Sequence, residues 1–333
     1  MVIDYTIFYK EKVRSPAEIN GRWDVFISAF NESERVTAVF EAVQSTEKHW
    51  LIHPEYGFAA YELPSGDHIF PSQHLHEADF ILEYTAAAGL NISGARICVD
   101  STGFMRPQLM CLLKWLHEQG CDQFDVLYTD PVRYAEAERT QFTKGPVVEV
   151  RQVAGYEGQH VPDSGGNDLL LIGAGYDHEL IRRVAEDKAS ARKTELFGLP
   201  SLSPEMYQES VLRASNAAEA MGGNEQDILF APANDPFVTA QVIHEVVERE
   251  RGRQRLANLY LSPLGTKAQT LGFALYYLTE CRGSAASVIF PFARHYTRET
   301  TKGIAHIWKY TFEFPASTPV GSDHRANLTS GSS

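Results

Sequence analysis

Residues 95–118 read ARICVDSTGFMRPQLMCLLKWLHE, and residues 257–280 read ANLYLSPLGTKAQTLGFALYYLTE. Superposed at a constant offset of 162, they share an alanine, a glycine, three leucines and a glutamate, 6 of 24 positions. Average residue usage gives roughly one or two coincidences. Each stretch runs from an apolar strand through a sharp glycine turn into a strongly apolar helix. The register carries on into the next strand, where Val126-Leu127-Tyr128 falls on Val288-Ile289-Phe290. A unit present twice places two equivalent turns side by side, so function is sought where those turns repeat.

Two further matches extend the duplication. FISAFNESERV (26–36) has the pattern of LIGAGYDHELI (171–181), and Thr143-Lys144-Gly145 answers Thr301-Lys302-Gly303, each ahead of the last strand of its half. Strand signals at 23–29, 49–53, 96–100 and 124–129 alternate with helix signals at 34–44, 74–89 and 106–119. The second half repeats that order, with one additional strand and helix at 228–230 and 237–251 and a closing strand at 306–314. Such alternation predicts parallel sheets covered by helices. The expected fold is α/β: two tandem Rossmann-like parallel-sheet units from an internal duplication. Residues 1–154 would form the first unit and 168–315 the second. Residues 155–167 (GYEGQHVPDSGGN) read as the linker, and 316–333, rich in Ser, Thr and Gly, as a disordered tail.

At 333 residues the chain is long enough for two domains, and its 44% hydrophobic and 22% charged residues are those of a globular protein. The net charge of −13 argues against a duplex nucleic-acid binder, which needs a basic face. No stretch approaches the roughly 20 apolar residues of a membrane helix. The start MVIDYTIFYKEKVRS lacks the order of a signal peptide, and the four cysteines have no CxxC spacing. A cytoplasmic location with free thiols is expected. His49 and His53 sit four apart on a strand and His74 and His76 two apart, without an HExxH or Cys/His pattern, so no metal site is expected. No cofactor motif is present, and no nucleophile–base spacing assigns a catalytic residue.

Ligands of open α/β sheets bind beyond the carboxyl ends of the strands, where helix N-termini favour anions. Four turns lie there. In Asp100-Ser101-Thr102-Gly103-Phe104-Met105-Arg106, two hydroxyls, a glycine and an arginine in a helix's first turn suit a phosphate; a pairing of Arg106 with a carboxylate explains it equally. Ser262-Pro263-Leu264-Gly265-Thr266-Lys267 repeats the arrangement with a lysine, although GxxxxGK[ST] is absent. Gly173-Ala174-Gly175-Tyr176 opens like a dinucleotide fingerprint but has His178 at the third glycine. Ala231-Pro232-Ala233-Asn234-Asp235-Pro236 reads as ordinary turn chemistry. The ligand-binding candidates are therefore Ser101, Thr102, Gly103, Arg106, Gly173, Gly175, Tyr176, Ser262, Gly265, Thr266 and Lys267. Arg133, Tyr134, Arg294 and Tyr296 suit base stacking and phosphate pairing but are equally common on plain surfaces, and Lys144 and Lys302 could fold over a ligand or sit in solvated hairpin turns.

VDSTGFMRP (99–107) and LSPLGTKAQ (261–269) resemble the strand-then-turn motif of CARF domains, sensors of cyclic oligonucleotides in CRISPR systems. Two fused CARF-like units resemble the SAVED domain of bacterial antiphage defence. The family pattern is an acidic or small residue, Thr or Ser, two glycines, then Thr-Lys. Here Phe104-Met105 replaces the second glycine and Thr-Lys in the first copy, and the second copy has a single glycine. The resemblance implies a sensor of a phosphate-bearing nucleotide, a cyclic oligonucleotide under the family pattern, with a protein partner or effector reading its state. A nucleotide-processing hydrolase and a non-catalytic scaffold subunit are the alternatives.

Overall fold

The computed structural model describes residues 3–134, 143–144, 146–162, 166–175, 177–202, 207–208, 211–212, 218–221, 227–298 and 301–314. In the repeated order the sequence also carries a helix signal at 204–221; most of it, and the expected tail, lie outside these residues. In the first half the chain forms β1 (Lys10–Val13), β2 (Arg22–Ala29), α1 (Glu34–Ala42), β3 (Gln44–Ile52), β4 (Ile69–Pro71), α2 (Glu77–Ala88), β5 (Ile97–Asp100), α3 (Arg106–Glu118), β6 (Gln123–Tyr134), β7 (Thr143–Lys144) and β8 (Glu149–Gln152). The second half continues with β9 (Asp168–Gly173), α4 (His178–Asp187), β10 (Arg192–Gly198), β11 (Asp227–Ala231), α5 (Pro236–Gly252), β12 (Asn258–Pro263), α6 (Lys267–Tyr276), β13 (Ala286–Phe292), β14 (His295–Tyr296) and β15 (Thr301–Glu313).

Two mixed, mostly parallel sheets result, and the molecule is α/β with two Rossmann-like units. One sheet runs β1-β15-β6-β5-β2-β3-β4 and the other β11-β10-β9-β12-β13-β8. Remove the antiparallel edges and the two are the same five-stranded parallel sheet, with β6-β5-β2-β3-β4 answering β13-β12-β9-β10-β11. The strand at 227–231, read from sequence as additional, is thus the counterpart of β4. Three residues of β4 inside a Pro- and Gly-rich stretch give too little alternation to announce a strand.

The antiparallel strands are exchanged. β8 follows the first half yet pairs with β13, and β15 follows the second half yet pairs with β6 over its full length. Buried contacts fix both crossings. Arg151 on β8 makes a bidentate pair with the fully buried Glu77 of α2, at 2.8 Å for each oxygen. Tyr156 donates to the Met110 carbonyl at 2.8 Å, and Tyr310 on β15 donates to the Asn234 carbonyl at 2.5 Å.

α3 and α6 pack on each other and belong to one continuous core. From Ala268 to Tyr276 every residue of α6 is buried, as a helix apolar on all sides must be. Because both helices follow central strands, their N-termini emerge where the carboxyl ends of the two sheets face each other. Among the described residues no helix is long and apolar enough to cross a membrane.

Candidate functional site

A hollow of about 130 Å³ lies between the carboxyl ends of the sheets, bordered by both repeated turns. One water needs roughly 10–15 Å³ by this measure, so the space suits a group of phosphate size with its hydration. Of the eleven candidates, Thr102, Arg106, Gly175, Gly265, Thr266 and Lys267 line it. Ser101, Gly103, Gly173 and Ser262 do not, and Tyr176 lies outside the described residues.

The two cations meet reciprocally. Arg106 donates from Nε (3.1 Å) and Nη2 (2.5 Å) to the Gly265 carbonyl. Lys267 donates from Nζ to the Phe104 carbonyl. Each occupies the first position of its helix, α3 or α6, and reaches across to the opposite unit's turn. The second turn is one residue shorter between its glycine and its helix, so Arg106 and Lys267 are equivalent in space although the ungapped alignment sets them one position apart. Burial holds the Lys267 ammonium well below the ordinary lysine range, and Arg106 and Arg35 push it further down.

Glycine explains the turns in a way the sequence left open. A Cβ on Gly103 would overlap the Ala29 carbonyl at the end of β2, and one on Gly175 would overlap the Leu264 carbonyl. Both glycines permit close approach of backbone to neighbouring backbone. The hydroxyls are likewise committed: Ser101 Oγ donates to the Leu127 carbonyl at 2.8 Å, and Thr102 Oγ1 accepts from the Thr129 amide at 3.1 Å. Thr266 caps α6, accepting from the Gln269 amide at 3.2 Å, and donates to the Ala233 carbonyl. Just ahead of α3, the Met105 amide is taken by His53 Nε2 at 3.3 Å. The helix N-termini are therefore partly closed by the protein itself. Asp235, in the fourth turn, caps α5 through the Phe237 and Val238 amides, both at 3.1 Å, and pairs with Lys10.

Several lining residues have no turn signal in the sequence. Arg35, on α1, donates to the Thr129 carbonyl at 2.5 Å, while its buried Nε has no partner among the described residues. Arg298 pairs with Glu62 at 2.8 Å, donates to the Tyr56 carbonyl at 2.7 Å and lies over the Phe58 ring. Tyr56 and Tyr128 add aromatic walls, as does Tyr296, whose type the sequence had suggested. Arg294 and Lys302 are exposed and do not line the hollow. The side chains of Arg133, Tyr134 and Lys144 lie outside the described residues.

The resulting electrostatics are one-sided. Arg35, Arg106, Lys267 and Arg298 line the hollow, and no aspartate or glutamate does among the described residues. Three arginines, one of them paired with Glu62, and a desolvated lysine without a lining carboxylate, in a chain of net charge −13, are an anion's environment. Acidic groups lie one layer deeper. Asp100 is fully buried, bonded to Ser28 Oγ and the Thr102 amide at 3.0 Å each, and its carboxyl is raised by burial. Glu55 accepts from Gln108 Nε2 at 2.7 Å and is pushed up to about 7 by burial. His53 is lowered to about 3 by burial and then by Lys267. Its acceptance of the Met105 amide places its proton on Nδ1, which lies 3.9 Å from Glu55 Oε2.

His49 bonds Tyr84 at 2.8 Å, and among the described residues no three His, Cys, Asp or Glu side chains are grouped to hold a metal. No family model matches the chain. No curated protein matches it either.

Proposed function

We propose that this protein binds a phosphate-bearing nucleotide in the hollow between its two units, and that binding biases their relative placement for a protein partner to read. The observation that carries the reading is the lining: three arginines and a buried lysine, no carboxylate among the described residues, and contributions from both repeated turns. Guanidinium and ammonium groups at a desolvated site are the usual partners of phosphate oxygens. The tyrosines beside them offer faces for a base. Since Arg106 and Lys267 are also the reciprocal ties between the turns, an anion that draws on either acts on the contact between the units. A ligand moves such an equilibrium only by its differential affinity for the two arrangements, and ties used by both ligand and partner unit supply that difference. The resemblance to CARF and SAVED domains gives the reading its biological setting, a nucleotide sensor in antiphage defence, with a cyclic oligonucleotide as the ligand.

Isothermal titration of the intact chain against inorganic phosphate, pyrophosphate, mononucleotides and cyclic mono-, di- and trinucleotides tests this. At least one phosphate-bearing compound should bind, more weakly as salt is raised. Arg106→Met and Lys267→Met should each weaken it by about tenfold or more, the worth of one charge-assisted bond. Absence of heat with the whole panel, or undiminished affinity in both variants, would falsify the proposal.

A further inference from the structure

The third residue of α6 and the third residue of α3 are both glutamine, Gln269 and Gln108, and both are buried. Their amides are left open at opposite ends. Gln108 gives its Nε2 to the Glu55 carboxyl, and its Oε1 has no partner among the described residues. Gln269 uses its Oε1 to accept the Thr266 amide at 3.2 Å, completing a reciprocal capping box, and its Nε2 has no partner among the described residues. Gln269 is 1% exposed and lines the hollow.

The cap fixes which way the amide points. Turning it over would set its NH2 against the Thr266 N–H, donor against donor. Gly265 makes this geometry available, because a Cβ there would overlap Gln269 Oε1. The NH2 group is thus held in a nearly dry place as an unmatched donor. A buried donor left unmatched is costly, so such groups in a native fold have a reason to persist. Arg35, from the other unit, lines the same space and has a second buried donor, Nε, without a partner among the described residues.

We infer that Gln269 is a ligand-reading residue of this site: its locked NH2 donates to an oxygen of the bound phosphate. Charged neighbours attract any anion. A fixed neutral donor adds direction, and rewards a ligand that presents an acceptor oxygen at that point. The inference rests on the reading of the hollow as a phosphate site and adds to it the residue that selects.

Gln269→Glu separates this role from a structural one. Glutamate serves at the third position of a capping box as glutamine does, so the helix cap survives while the donor becomes an acceptor. The probes are inorganic pyrophosphate and ADP, titrated calorimetrically into the intact native chain and into Q269E. Affinity should fall about 10- to 100-fold, the worth of a hydrogen bond to a charged group. The melting temperature should stay within about 2 °C, as a retained cap requires. Q269M, uncharged and unable to donate, should also lose about tenfold or more, which excludes added repulsion as the sole cause and serves if Q269E folds poorly. Equal affinity in native and variant chains overturns this inference alone. Where neither probe binds the native chain, the compound of the panel that does bind takes their place in the same comparison, and failure of the whole panel overturns the reading of the hollow and the inference together.

Discussion

The turn after β5 and the turn after β12 descend from one repeated pattern, yet they solve their packing differently. In the first unit the glycine sits in the β5 turn and the obstacle is the end of β2, where Gly103 meets Ala29. In the second unit the strand equivalent to β2 is β9, and there the glycine, Gly175, follows β9 while the obstacle, Leu264, is in the β12 turn. The close approach between central turns is kept, and the residue that permits it has changed sides. This accounts for Ala29-Phe30-Asn31 lacking the glycines of Gly173-Ala174-Gly175. It also leaves Gly265, the aligned mate of Gly103, with a different role, which is to make room for the Gln269 amide. Equivalent positions in a duplicated fold can thus hold the same residue for unlike reasons.

The largest expected effect follows directly. In Gly103→Ala and Gly175→Ala the new methyl meets a backbone carbonyl, which cannot swing aside as a side-chain end can. Each should lose about 3 kcal/mol or more in urea denaturation, the upper range for overpacking. Gly265→Ala meets only the tip of Gln269 and should lose about 1 kcal/mol, the scale of a weakened cap. If Gly265→Ala proved as costly as the other two, the distinction between backbone and side-chain obstacles would fail.

A second contrast concerns the buried acids. Glu55 in the first unit is 5% exposed and Glu195 on β10 is 2% exposed, and burial raises both to about 7. Each retains in the fold a proton that the unfolded chain sheds near its ordinary value of 4.5. The native state therefore holds more protons across that window, and stability declines as pH rises from about 4.5 to about 7, by about 3 kcal/mol per group. Glu55→Gln and Glu195→Gln should each gain about that much relative to the native chain between these limits, read from urea midpoints at a series of pH values. The units should differ in shape. Glu195 has an oxygen without a hydrogen-bond partner among the described residues, so its difference curve should follow one titration. Glu55 faces His53 at 3.9 Å, whose lowered value gives the opposite slope from about 6.5 down to about 3. Its curve should be broader, and identical curves would argue against that coupling.

Much of this architecture is legible in the chain because strand–turn–helix periodicity is local. The glycine-marked turns at 103 and 265 and the apolar helices behind them could be placed from residue order alone. The exchange of β8 and β15 could not, since an alternating antiparallel strand carries the same pattern whichever sheet accepts it. Its determinants are distant pairs such as Arg151 with Glu77. The hollow was half legible. Arg106 and Lys267 stand out as cations at helix starts, whereas Arg35, although inside the repeated stretch 26–36, has nothing in its type or spacing to set it apart, and Arg298 reaches the same space from a loop that no motif marks. Gly103 gave a true signal, the need for a missing Cβ, but what approaches it is the neighbouring strand end.

The smallest expected effect is the most discriminating for the ties between the units. Arg106 and Lys267 look interchangeable, each the first residue of its helix and each bonded to the other turn's carbonyl. Their energetics differ. The Arg106 guanidinium makes two bonds to one carbonyl and stays charged throughout the accessible pH range. Removing it as Arg106→Met strips the Gly265 carbonyl of both and should cost about 2 kcal/mol. Lys267 is desolvated and repelled by Arg106 and Arg35, so its charge opposes the fold that its hydrogen bond supports. Lys267→Met keeps most of the aliphatic stem and removes that repulsion along with the bond. Its net effect should lie within about 0.5 kcal/mol of zero. The depressed lysine also fixes a sign. The unfolded chain binds a proton that the fold resists, so the native chain loses stability relative to Lys267→Met as pH falls from the ordinary lysine value through the lowered one. Equal losses in the two variants at neutral pH, with no such divergence, would mean that the ties are as symmetric in energy as they are in geometry.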